Sequence, residues 1–351
     1  MRNLINATSK EDLAFYRSEM RRQFTCAGTN CKTDDAPEGA VPSLRKLMPA
    51  GKYIGAEYMS DVMFGTTSRR HDSAEYRRVH TSQYSLSGTY CGWGSTEQRR
   101  GNFTMGACVE AVTYAAAAGQ LFRGTNLCWD NPLFNPSWLE ELPADQKPAA
   151  LKEHIRGVVT AMEQAGPVYA WDVVNEAANP QGTGLKNGTW SNPSSGIGSE
   201  YIDLAFNITR GVSQAKLFYN DYGWIEGGAK ADWIIGMVRG MQQRGVPIDG
   251  VGFQTHLKLS LIDNVTELGK RVHASIGRAA ALGLEVHITE MDVACDVAGC
   301  NPPSAELLQK QADVYAAVLR GCLAHDACRS METWGFTDAY SWLDRCVAAR
   351  I

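Results

Sequence analysis

The chain has 351 residues, 44% hydrophobic and 21% charged, with a formal net charge of -4. That length admits two average domains or a single α/β barrel, since such barrels commonly keep about 250 residues in one domain. The slight acidity argues against nucleic acid or an anionic membrane as the main partner. No apolar run reaches membrane-spanning length, and the polar start Met1-Arg-Asn-Leu-Ile-Asn lacks the apolar core of a signal peptide.

Ahead of Leu13, Tyr16, Met20 and Phe24, the run Ser9-Lys-Glu-Asp12 has a capping-box pattern, so an amphipathic helix is predicted over about Lys10 to Arg22, then a cysteine-containing loop from Cys26 to Pro42. Residues 1–43 therefore read as an N-terminal extension and residues 44–351 as one domain. Strands are predicted at Tyr53–Tyr58, Gln83–Cys91, Leu121–Trp129, Tyr169–Glu176, Ala215–Asp221, Gly250–His256, Glu285–Asp292 and Met331–Asp338. Helical periodicity appears at Pro148–Ala165, Ser199–Gln214, Ala229–Gln243, Thr266–Leu282 and Ala305–Cys322. Eight strands alternating with helices is the count of a (β/α)8 TIM barrel, whose active site lies at the C-terminal ends of its strands. A doubly wound open sheet would carry a Gly-rich phosphate turn after its first strand, and Gly55-Ala-Glu-Tyr-Met is not one. Nine residues follow Trp342, too few for a full eighth helix. A shortened C-terminus is expected, with Lys10 to Arg22 covering the apolar gap beside strands one and eight.

Ten cysteines include three close pairs, Cys26 with Cys31, Cys295 with Cys300 and Cys322 with Cys328, at spacings suited to loop-closing disulfides rather than to Cys-x-x-Cys metal sites. Asn6, Asn102, Asn187, Asn207 and Asn264 each begin an Asn-x-Ser/Thr acceptor. Together these favour a secreted glycoprotein whose signal peptide is absent from this chain.

Two of the strands, Trp171-Asp-Val-Val-Asn-Glu176 and Ile288-Thr-Glu-Met-Asp292, deliver a glutamate to their C-terminal ends. Cleaving a glycosidic bond needs such a pair, one carboxyl to protonate the departing oxygen and another to attack the anomeric carbon. In a barrel the sixth strand neighbours the seventh, so His256 should touch Glu290, with Asp292 on the ring's other side. That arrangement is expected to hold Glu290 ionised, while partial burial and the charge of Glu290 keep Glu176 protonated. Simple alternation points Asn175 away from Glu176, so a bend is predicted there, letting the Asn175 amide reach a substrate hydroxyl. Trp129, Trp334 and Trp342 sit at or beyond strand ends, where an indole can stack on a sugar ring. Tyr222 and Gln254 are candidate sugar contacts or supports. Trp93, Trp138, Trp190, Trp224 and Trp233 read as packing. No metal or organic cofactor is implied.

These residues together resemble the glycoside hydrolase family 10 endo-β-1,4-xylanases. The match runs through Leu44-Arg-Lys-Leu-Met, Tyr53-Ile-Gly, Arg123-Gly124, Leu127, Trp129, Trp171 to Ala177, Ile197-Gly, Asn220-Asp-Tyr222, Gly250 to His256 and Ile288 to Asp292, then Thr333-Trp-Gly and Ser341-Trp342. The resemblance implies a retaining enzyme with Glu176 as acid/base and Glu290 as nucleophile, supported by Asn175, His256 and Asp292. It also implies a Cys322–Cys328 disulfide. Members usually carry a Glu-Asn-x-x-Lys group after the second strand, gripping the sugar on the non-reducing side. Here Gly88, Thr89 and Gly92 stand in those places, and Thr125 and Asp130 replace two histidines of an Arg-Gly-His-Thr-Leu-x-Trp-His run. Weakened or widened binding on the glycone side is the expected consequence.

The reading is therefore a retaining glycoside hydrolase, monomeric, acting on xylan or a related β-linked polysaccharide or oligosaccharide. The competing readings are a carbohydrate-binding barrel with little or no turnover and a rebuilt glycone site, and a structurally incomplete chain.

Overall fold

The computed structural model describes residues 43–64, 73–300 and 303–343. Its eight barrel strands are β1 Tyr53–Glu57, β2 Leu86–Tyr90, β3 Leu121–Trp129, β4 Ala170–Asn175, β5 Lys216–Asp221, β6 Gly250–Phe253, β7 Glu285–Ala294 and β8 Cys328–Thr333. Every neighbouring pair is parallel. β8 returns to β1, with Gly55 opposite Glu332, which closes the barrel. Seven longer helices follow the first seven strands: α1 Ser73–Gln83, α2 Gly106–Ala117, α3 Lys147–Ala165, α4 Glu200–Arg210, α5 Ala229–Gln243, α6 Val265–Ala280 and α7 Ala305–Leu323. The predicted helix over Lys10 to Arg22, with its covering role, and the Cys26–Cys31 pair lie outside the described residues.

Local chemistry accounts for these elements. On α6, Leu268, Val272, Ile276 and Ala279 recur at helical spacing and are buried, while the Asn264 side chain caps the first turn by accepting from the Glu267 N–H. Ser304 caps α7 the same way through Leu307. Along the strands, alternation separates two environments. Phe122, Trp171, Val173, Val286, Ile288 and Met331 join the apolar core with the helices. The residues between them, Arg123, Asp172, His287 and Glu332, meet one another in a buried charged layer inside the barrel.

Three predicted strands differ in extent at an end, the first being Gln83–Cys91, which shortens to Leu86–Tyr90 because Gln83 closes α1. Gly250–His256 is not one strand: β6 ends at Phe253, Thr255 takes a left-handed φ of 63°, and His256–Lys258 then forms a separate short pairing with β7. The last strand starts at Cys328 and stops at Thr333, so Trp334 lies on the loop beyond it. Disulfides join Cys295 to Cys300 and Cys322 to Cys328. A further one, Cys91 to Cys108, ties the end of β2 to α2. It spans two elements, so no short spacing marked it in the sequence.

Candidate active site at the mouth of the barrel

Strand β4 shifts register against β5 between Asp172 and Val174, and the next residue past its end, Glu176, adopts a left-handed φ of 55°. A non-glycine residue there carries strain of about 1–3 kcal/mol. This is the predicted bend, and it re-aims the strand end so that Asn175 and Glu176 both reach one hydrogen-bonded cluster. The Gln254 amide donates to Asn175 Oδ1 and to Glu176 Oε1, each at 3.1 Å.

Glu290 is held from two sides. The Asn220 amide donates to one carboxylate oxygen at 2.7 Å, and His256 Nε2 lies 3.2 Å from the other. The second ring nitrogen of His256 is 2.9 Å from Asp292, whose carboxylate also accepts from the Trp342 indole at 2.7 Å. Asn220 links the two halves: it donates to Asn175 Oδ1 at 3.1 Å and accepts from Thr289 at 2.7 Å.

Electrostatics departs from the sequence expectation at Glu290. Burial pushes the Glu290 carboxyl above its ordinary range, and His256 only partly offsets this. Burial also opposes a charge on His256, but Asp292 and Glu290 on either side prevail and push it up to about 10. Glu176 has a partner that the sequence did not bring to the site: the Lys186 ammonium, 2.7 Å from its carboxylate. Although burial opposes its charge, Lys186 is raised above the ordinary lysine value by Glu176. Lys186 comes from the long loop after β4, and that loop is anchored by Asp130, which accepts from the Trp190 and Ser191 N–H groups at 2.7 and 3.3 Å.

His256 carries a pH prediction. Its folded value lies above the ordinary histidine value of about 6.5, so the protonated ring stabilises the fold in full below about pH 6.5, and the contribution is lost as the pH rises towards 10. The melting temperature of the wild type should fall between those limits, with a shallower fall for His256→Gln. Equal slopes would exclude His256 as the cause.

The family model described as glycosyl hydrolase family 10 matches residues 53–350. The chain belongs to glycosyl hydrolase family 10. It is 33% identical to endo-1,4-beta-xylanase B of Thermotoga neapolitana over 78% of this chain and 75% of that protein. It is likewise 33% identical to endo-1,4-beta-xylanase C of Phanerodontia chrysosporium, of which the match spans 59%. The crystal structure of xylanase 10B from Thermotoga petrophila RKU-1 in complex with xylobiose superposes with a TM-score of 0.76 at 30% identity, covering 86% of this chain and 88% of that one. A glycosylated endo-beta-1,4-xylanase from Gloeophyllum trabeum gives a TM-score of 0.76 at 30% identity, covering 87% and 90%. The chain is a glycoside hydrolase.

Within this family 10 barrel the sugar-platform candidates fare differently. Trp334 and Trp342 flank His256, with ring centroids 6.5 and 5.1 Å away, and Trp342 is 39% exposed. Trp129 instead has a face stacked on Phe134 at 4.1 Å, so that face is already covered. Tyr222 lies under two ammonium groups, Lys230 at 3.5 Å and Lys186 at 4.9 Å, and reads as a support for the Glu176 partner. Trp93, Trp190 and Trp224 are buried, as expected of packing residues.

The two glycines expected on the glycone side are not empty gaps. A Cβ at Gly88 would fall 2.0 Å from a Glu57 carboxyl oxygen, and one at Gly92 would fall 2.1 Å from the Tyr90 hydroxyl. Side chains from neighbouring positions occupy both spaces. Thr89 turns its hydroxyl to the Tyr58 carbonyl at 3.0 Å, and Thr125 donates to Asp172 at 2.9 Å. Both are structural bonds. Asn220, Lys186 and Glu57 are the residues that sequence reasoning left out of the site. Asn220 and Glu57 carry the same signal as the two glutamates, a polar residue at a strand's C-terminal end. Lys186 carries none, because a loop has no period to reveal which side chain turns inward.

Proposed function

We propose that this family 10 hydrolase cleaves β-1,4-linked xylan or a closely related neutral β-glycan with retention of configuration, through a covalent glycosyl-enzyme. The observation that carries the reading is the unequal support of its two carboxyls: Glu290 fixed by Asn220 and His256, Glu176 paired with Lys186 and Gln254. A nucleophile must be held in one place throughout, whereas an acid/base must exchange a proton and tolerate both charge states.

In the first step Glu290 attacks the anomeric carbon while Glu176 protonates the departing glycosidic oxygen, releasing the aglycone. In the second, Glu176 takes a proton from water, which attacks the same carbon and frees Glu290. Both hydrogen bonds to the Asn175 side chain go to its oxygen, which directs its N–H donors to a sugar hydroxyl. Xylanase names among the relatives, and xylobiose in one similar structure, support xylan as the substrate. The disulfides support folding in an oxidising compartment, consistent with a secreted enzyme. No helix among the described residues is long and apolar enough to cross a membrane.

A reducing-sugar assay on xylan, mixed-linkage glucan and mannan, beside an affinity gel, tests the reading. Release from xylan is expected, with the β-anomer appearing first by NMR. Retardation in the gel without any release would favour the carbohydrate-binding barrel instead, and an α-anomer would exclude the double displacement.

A further inference from the structure

We propose that Glu57 is a sugar-binding residue: delivered by β1 into the space that a side chain at position 88 would occupy on β2, its carboxyl hydrogen-bonds a hydroxyl on the glycone side of the scissile bond. The inference rests on the glycanase reading above and names how the rebuilt side of that site holds its substrate.

Glu57 is the last residue of β1 and lies directly opposite Gly88. Its carboxyl rests against the bare Cα of that glycine, with Oε1 2.0 Å and Cδ 2.7 Å from where a Cβ would stand. A side chain at 88 would therefore displace the Glu57 carboxyl from where it stands. One carboxyl fits at this corner of the mouth, and here it arrives from the neighbouring strand.

The second observation points to a ligand. Glu57 is 5% exposed, and neither of its carboxyl oxygens has a hydrogen-bond partner. Buried polar groups in folded proteins are almost always bonded, because an unmade bond is costly, and an exception calls for a missing partner. Arg123 makes no hydrogen bond to it, because its three guanidinium nitrogens are engaged by Glu332, Asp172 and His287. Both oxygens are shut off from solvent as the side chain stands, so meeting a sugar requires the carboxyl to turn about its own side-chain bonds.

The surroundings select the partner's chemistry. Burial foremost, then the charges of Glu332, Glu290 and Asp172, raise the Glu57 pKa well above its ordinary value, which favours the protonated carboxyl. Such a group donates one hydrogen bond and accepts others, as a sugar hydroxyl does. An anionic substituent would meet several carboxylates at once. The fitting partner is thus the hydroxyl of a neutral sugar, not a uronic acid.

The test compares kcat/KM and melting temperature for four forms of the full chain on neutral xylo-oligosaccharides. Glu57→Ala should lower kcat/KM about tenfold or more, the effect of one lost hydrogen bond, without lowering the melting temperature. Glu57→Gln keeps a donor and an acceptor and should stay within about threefold of wild type. Gly88→Glu alone collides with Glu57 and should be impaired. Combined with Glu57→Ala it returns a carboxyl from β2, and kcat/KM should recover to within about threefold. The inference is overturned if Glu57→Ala retains wild-type kcat/KM, as it would were the missing partner only a bound water. It is also overturned if activity and melting temperature fall together and the double variant performs no better than Gly88→Glu. Should the alanine variant not fold, the double variant decides alone. A wild type that releases no sugar from any neutral β-glycan would instead defeat the glycanase reading itself.

Discussion

Glu290→Ala is expected to be inactive on every glycoside, with kcat reduced by a factor on the order of 10⁴ to 10⁶, because no other carboxylate is held by both Asn220 and His256 at the attacking position. Glu176→Ala should behave differently. Loss of a general acid/base costs about 10² to 10⁴, and less where the leaving group needs little protonation. An aryl glycoside with an activated leaving group should therefore still load the enzyme, after which the glycosyl-enzyme accumulates for want of a base to activate water. Azide needs no deprotonation, so it should restore turnover of Glu176→Ala and give the β-glycosyl azide. Any azide product from Glu290→Ala should have inverted configuration, since azide then enters from the face the nucleophile vacated. Product NMR distinguishes these outcomes, and an interchange of the two stereochemical results between the variants would reverse the assignment.

The largest expected effect on stability lies one layer below the site. Arg123 is 1% exposed, with its guanidinium 2.6 Å from Asp172 and 3.1 Å from Glu332. Burial opposes its charge, but these carboxylates keep it protonated, and Arg123 in turn holds Glu332 below the ordinary carboxylate range against the effect of burial. Arg123→Met removes the only one of the described residues that hydrogen-bonds both acids and leaves them buried without its charge. Breaking such a pair costs about 3–5 kcal/mol. The melting temperature should fall by on the order of 10 °C, which differential scanning calorimetry would register. Arg123→Lys keeps a charge without the fork that reaches two carboxylates, so its loss should be intermediate. A melting temperature for Arg123→Met within about 2 °C of wild type would show that the two carboxyls take up protons without cost to the fold.

Both predictions rest on residues that the sequence exposes unequally. Trp171 to Glu176 and Ile288 to Asp292 are apolar runs ending in acids, and a strand's two-residue period with the order of strands around a closed barrel is enough to put His256 beside Glu290. The helices α3, α5 and α7 are legible for the same reason, since burial of one face imposes a repeat that can be counted. The end of β6 differs because no Pro, Asn, Asp or Ser punctuates Gly250 to His256. Nothing in the residue types announces the left-handed turn at Thr255 that breaks it.

By itself the sequence determined the class of fold, the two glutamates and the histidine between acids, because periodicity and strand order are properties of the chain taken segment by segment. Which charges surround each glutamate was decided only by the tertiary structure. Lys186 reaches Glu176 through a loop pinned by Asp130, some sixty residues away in the chain. Glu57 meets Gly88 across a strand pair. Side-chain packing across strands and loops has no period, so a glycine read from the chain as a lost contact is found, once the barrel closes, to be the room that a neighbour's carboxyl fills.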